Sequence, residues 1–190
     1  MEKIKNQLVQ FIMWFALLFG VVIFSSAVAQ TKYLEKNGVL IFEASEKLFE
    51  EVKAVNKSTT VIYNEATNQI AALALMKGFR FKNSLMEEHF NENYIESGKY
   101  PKAIFKGELL NFDPTKSKQA TVKGILEIRG KKKEVETVLN VQQIGGTISM
   151  TGEFVVTPQD FDIEIPKIVR NKIAKEVNVK LDFKLVSNDS

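Results

Sequence analysis

Near its C-terminus this 190-residue chain runs Val177-Asn178-Val179-Lys180-Leu181-Asp182-Phe183-Lys184-Leu185, apolar and polar residues in strict alternation. A period of two sends successive side chains to opposite faces, so the pattern fits a β-strand with one buried and one solvated face and excludes an amphipathic helix. Val122, Gly124, Leu126 and Ile128 alternate in the same way with Lys123, Glu127 and Arg129. Val135, Thr137, Leu139 and Val141 alternate with Glu134, Glu136, Asn140 and Gln142. Ile148, Met150, Gly152, Phe154 and Val156 make a further strand. Gly130-Lys131-Lys132 and Gly145-Gly146 read as hairpin turns between these segments. Earlier in the chain, Val39 to Ala44, Leu48 to Val55, Thr59 to Glu65 and Gln69 to Lys77 read as strands. Their turns fall at Ala44-Ser45, Asn56-Lys57 and Ala66-Thr67-Asn68, and Leu48 to Val55 fits a helix equally well. Consecutive hairpins predict an all-β antiparallel sheet, and closure into a barrel removes the edges on which an open sheet would aggregate.

Two stretches interrupt the alternation. Ser84-Leu85-Met86-Glu87 has the S-x-x-E spacing of a capping box and predicts a helix starting at Ser84. Met86, Phe90 and Tyr94 then recur every fourth residue on one face. Ser97-Gly98 ends the helix, Tyr100-Pro101 forces extended backbone, and a strand follows from Ala103 to Phe112. The second interruption lies between Thr157 and Val177, where Ile168, Val169, Ile173 and Ala174 suit a short helical segment beginning at Pro166. These one or two short helices are the candidate lids over the barrel ends.

At the N-terminus, Lys3 and Lys5 precede an apolar run from Leu8 to Phe24 and the small residues Ser25-Ser26-Ala27-Val28-Ala29. This is the order of a signal peptide cleaved after Ala29, residues 1–29. An uncleaved anchor is the rival reading, since Leu8 to Val28 is long enough to span a bilayer. Cleavage predicts a periplasmic or secreted protein with no stable membrane insertion. Residues 30–37 read as a polar lead-in, 38–187 as one barrel domain, and Ser187 to Ser190 as a frayed tail. The absence of cysteine excludes disulfides, thiol catalysis and a lipoprotein anchor. Removing the leader takes two of the 26 basic residues and one of the 23 acidic ones, leaving 24 and 22, a charge of +2. So balanced a surface offers no field for gathering nucleic acid.

Candidate chemistry is sparse. His89 is the only histidine, and with Glu92 or Asn93 it falls short of a transition-metal donor set. There is no nucleophile elbow, phosphate loop or dinucleotide motif. Asp160 and Asp162 suit a solvated or turn-capping role. Lys131-Lys132-Lys133 suits a solvated hairpin tip, or one that touches a membrane headgroup. Fourteen phenylalanines are more informative, since Phe79, Phe81, Phe90, Tyr94, Tyr100 and Phe105 crowd about the helix. Gly107, Gly124 and Gly152 fall in the inward phase of their strands. There they let the sheet bend, and the missing side chains are equally compatible with room inside for a ligand.

The segment GFRFKNSLMEEHFNENYIESGKYPKAIFKG, the later Gly124-Ile125-Leu126-Glu127-Ile128-Arg129-Gly130 and the terminal Asp182-Phe183 resemble, in order and spacing, the YceI-like family of secreted lipid-binding proteins. The resemblance runs from about Lys36 to Val186. It implies an eight-stranded lipocalin-like barrel that holds a polyisoprenoid or another amphiphilic lipid, without catalysis or cofactor. Alternation phase and resemblance together make Phe79, Phe81, Leu85, Met86, Phe90, Tyr94, Phe105 and Phe154 the candidate lining. The alternative is a structural or stress-response envelope protein whose barrel is closed and ligand-free. The sequence leaves a homodimer open.

Overall fold

A computed structural model describes residues 31–45, 51–113, 118–170 and 173–188. Among these residues nine strands form one antiparallel sheet: β1 Lys32–Ser45, β2 Lys53–Asn64, β3 Gln69–Leu75, β4 Arg80–Phe81, β5 Lys102–Leu110, β6 Gln119–Ile128, β7 Lys131–Ile144, β8 Thr147–Val156 and β9 Ile173–Ser187. Their order is β1-β9-β8-β7-β6-β5-β3-β2-β4, and β1 also pairs with β2. That pairing closes the eight long strands into a barrel, to which the two-residue β4 adds a spur on β2. Among the described residues one short α-helix, α1 (Ser84–His89), interrupts the strands.

Several expected boundaries move. Residues expected as lead-in are strand, because β1 starts at Lys32 and pairs Tyr33 with both Tyr63 and Ser187. The same pairing draws Ser187 into β9 rather than a frayed tail. The turn expected at Asn56-Lys57 does not exist, and β2 runs straight through it. Asn56 is fully buried, where it donates to the Leu75 carbonyl and accepts from the Ser58 N–H, so its amide is satisfied without a chain reversal. Leu48 to Glu50 lie outside the described residues. Between β6 and β7 the turn is Arg129-Gly130, with Ile128 opposite Lys131 and both turn residues at positive φ, as a two-residue type I′ hairpin requires. The lysines therefore open β7. At Pro166 the chain makes one helical turn, with the Val169 N–H on the Pro166 carbonyl, but among the described residues it does not continue as a helix; a 3₁₀ segment lies earlier, at Pro158–Phe161, and Ile173 and Ala174 belong to β9.

The barrel interior is of two kinds. At one end Tyr63, Leu139, Ile148, Met150 and Leu185 are essentially inaccessible and pack with Val122, Leu109 and Phe183 into a solid core. At the other, Phe79, Phe90, Ile95, Leu126, Phe161 and Ile163 form a second cluster. Leu40 and Phe105 touch both. The inward glycines leave no space for a ligand. Gly107 and Gly124 face each other across β5 and β6, and a Cβ on either would lie 2.7 Å from the Phe105 Cζ and hard against carbonyls of the facing strand. At Gly152 the Leu139 side chain occupies the place. The glycines permit a tight bend, and neighbouring side chains cover it.

Candidate functional site

The second cluster does not fill its half of the barrel. It surrounds a cavity of about 650 Å³, within the range of small-molecule sites. The wall is almost wholly apolar: Leu40 and Phe42 of β1, Ala74 of β3, Ala103 of β5, Leu126 and Ile128 of β6, Phe154 and Val156 of β8, and Val177 and Val179 of β9. Among the described residues Asn83, His89 and Tyr94 are its polar side chains. Burial raises the Tyr94 phenol pKa above the ordinary value, so that side chain is neutral below pH 10. Among the described wall residues Leu85 and His89 are exposed, so the cavity reaches the surface beside α1.

Seven of the eight residues expected as lining stand in the cavity wall: Phe79, Phe81, Leu85, Met86, Phe90, Tyr94 and Phe154. Phe105 does not; it lies just beneath the cavity, where the two clusters meet, with its ring tip over the glycine pair. Sequence reasoning missed Phe42, although it lies in the apolar phase of β1. Phe42 packs against Phe79, Phe81 and Phe90 in tilted and edge-on contacts, with ring centroids 5.4–5.5 Å apart. Val169 and Ile173, expected in the second lid segment, do stand in the wall, whereas Phe161, Ile163 and Ile165 were missed. Their stretch has no periodicity, and its apolar content was the only signal.

The helix holds its position through polar contacts at its start. Asn83, not Ser84, is the cap: its side-chain oxygen accepts from the Leu85 and Met86 N–H groups at 2.9 and 3.3 Å. Glu87, expected to close a capping box, instead accepts from the Phe81 N–H at 3.1 Å and the Arg80 guanidinium at 2.7 Å. α1 is thereby fastened to β4, and through β4 to β2. From Phe90 to Tyr94 the helix widens into a π-turn, with the Ile95 N–H reaching the Phe90 carbonyl. The wider turn lets Phe90, Tyr94 and Ile95 all face the cavity; regular α-helix would carry one of them away.

Both interruptions of the alternation gather at this one end, not one at each. They are joined through Arg129, whose guanidinium bonds Glu96 Oε1 at 2.5 Å and the Asp162 carbonyl and lies over the Tyr100 ring. The hairpin lysines add Lys131–Asp162 at 2.6 Å and Lys133–Asp160 at 3.0 Å, while Lys132 faces Glu127. Asp160 and Asp162 are therefore paired rather than simply solvated. The Lys131 ammonium holds the Asp162 carboxyl below its usual range, and Asp162 raises Lys131 in return. Among the described residues no group of His, Asp and Glu is arranged to hold a metal ion, and no helix is long and apolar enough to cross a membrane.

Comparison with known proteins gives a consistent fold. The family described as YceI-like domain matches residues 34–185. None of the curated proteins matches. Among solved structures, a polyisoprenoid binding domain from Saccharophagus degradans implicated in plant cell wall breakdown is 14% identical, with a TM-score of 0.70 over 83% of this chain and 99% of that one. Burkholderia cenocepacia BcnA is 18% identical with a TM-score of 0.64, covering 77% of this chain and 95% of its own. A Campylobacter jejuni YCEI protein is 12% identical with a TM-score of 0.61, over 76% of this chain and 90% of that one. At these identities the likeness is one of fold.

Proposed function

We propose that this chain, which belongs to the YceI-like domain family, binds the apolar part of a polyisoprenoid or similar amphiphilic lipid inside its barrel and carries it without chemical change. The observation that supports this reading is the apolar cavity itself, open beside Leu85 and His89 and walled by aliphatic and phenylalanine side chains. Each methylene buried against such a wall contributes about 0.8 kcal/mol. Ten would contribute roughly 8 kcal/mol, before the cost of ordering the tail is subtracted. Asn83, His89 and Tyr94 supply a small polar set at which a headgroup can stop. A solvated headgroup and a buried tail need no catalytic constellation, and the chain offers none that its motifs reveal. The leader at residues 1–29 supports export, with the lipid handled in the cell envelope.

The test is native mass spectrometry of the exported chain beginning at Gln30, purified without detergent and weighed before and after denaturation. A discrete added mass that extracts into organic solvent supports the carrier and identifies its cargo. An unladen mass, together with no uptake of added isoprenol, removes it in favour of a barrel that acts through its surface.

A further inference from the structure

Resting on the lipid-binding reading, the cavity also says how much of a lipid it can take. It is one-ended. Beyond Leu40 and Phe105 the barrel is solid, with Tyr63, Ile148, Met150 and Leu185 fully or almost fully buried. The boundary is sharp along each strand. On β9, Ile173, Val177 and Val179 line the cavity, while Phe183 and Leu185 belong to the packed core. On β8, Phe154 and Val156 line it and Met150 does not. From Ile173 to Val179 is about 20 Å of strand, or about 15 Å of depth once strand tilt is allowed for.

The floor is built, not incidental. Phe105 pairs with Leu126 on one side and Ala72 on the other, and its ring tip sits on the Gly107–Gly124 pair, where no side chain could coexist with it. One step nearer the mouth, Ala74 and Ala103 pair and both line the cavity. The side chains are thus bulky at the floor and small immediately above it.

We infer that this chain selects single-chain amphiphiles by tail length, with Phe105 and Leu40 as the stop, the tail entering first and the headgroup left at Leu85 and His89. A longer tail leaves its excess in water, where further carbons add no affinity.

The experiment measures binding of a series of straight-chain 1-alkanols and linear isoprenols of increasing length to the purified barrel, by displacement of a fluorescent fatty acid. For the wild type, affinity rises about fourfold per methylene up to one length and then levels. Phe105→Ala moves that length upward, and Ala103→Leu, which fills space above the floor, moves it downward. Leu85→Ala, at the mouth, leaves it in place. Affinity that climbs through the whole series, or a plateau that both interior variants leave unmoved, overturns the length stop while leaving lipid binding intact. If Phe105→Ala fails to fold, Ala103→Leu alone decides between these outcomes. No alkanol or isoprenol bound at any length removes the lipid-binding reading itself.

Discussion

Arg129 occupies a backbone region that costs a non-glycine residue about 1–2 kcal/mol, and so do two of its partners: Glu96, Arg129 and Asp162 all have φ near +54°. Three strained residues from three separate loops meet at one guanidinium, and the planar fork can serve a carboxylate and a carbonyl at once. Arg129→Ala removes both charge-assisted bonds and keeps the strain, so it should lower stability by about 2 kcal/mol. The same change should speed amide exchange in residues 158–165. Arg129→Lys should recover less than half, since an ammonium does not span both acceptors. Urea unfolding of the three proteins measures this, and an alanine variant as stable as the parent would show the knot to be incidental. Gly124→Ala should cost more, above about 3 kcal/mol, because its Cβ meets backbone that cannot rotate aside. None of the Arg129 contacts could be read from the sequence. Its partners lie 33 residues away in either direction, and a charged residue in a turn gives no sign of where it will point.

At the level of the element, the helix shows what a local motif does and does not determine. The sequence placed its start correctly at Ser84, yet the cap is one residue earlier. Asn83 competes with Ser84 for the same orphan N–H groups, and an extended Asn83 backbone settles the contest. Glu87 was then free to tie the helix to β4, a contact that no spacing rule contains. Asn83→Ala should therefore destabilise the protein by about 1 kcal/mol, and Ser84→Ala by less than about 0.5 kcal/mol. Equal losses in chemical denaturation would restore the capping box. Strands with clean alternation, β6 to β9, are legible in place and in facing, although β7 opens at Lys131 and β9 at Ile173, each earlier than the alternation marks. β2 was divided in two because buried Asn56 looks like a turn residue when its hydrogen-bond partners are unseen, and the π-turn left no trace, since Met86, Phe90 and Tyr94 obey helical spacing up to the point where the backbone widens.

Across the whole molecule, alternation says which side chains face inward but not whether they meet. That is why the barrel could be read from the sequence while its division into a solid half and a hollow half could not. Leu139 and Val179 are both inward aliphatics, yet the first is in a packed core and the second in a cavity wall. The solid half also carries its own titration. Tyr63 is fully buried and donates to Asn68 Oδ1 at 2.6 Å, while the Asn68 amide donates to the Phe112 carbonyl, sealing that end of the barrel. Burial, with the nearby Glu65 carboxylate and Tyr33 adding to it, holds the Tyr63 phenol pKa well above its ordinary 10.0. In the unfolded chain the phenol ionises near pH 10, while in the fold it stays protonated. The stability tied to that proton is therefore complete below pH 10 and is lost as pH climbs from there toward the folded value, at up to about 1.4 kcal/mol per pH unit. Lys131, Lys123 and Lys99, each raised by a neighbouring partner, lose stability in the same direction over an alkaline range beginning near pH 10.5, so the full slope does not belong to Tyr63 alone. Tyr63→Phe isolates its share: the variant should be about 1 kcal/mol less stable at neutral pH, for want of the bond to Asn68, and should decline less steeply above pH 10. Urea unfolding of both proteins from neutral pH to about pH 11 measures the difference, and parallel curves would mean that Tyr63 ionises as freely in the barrel as outside it.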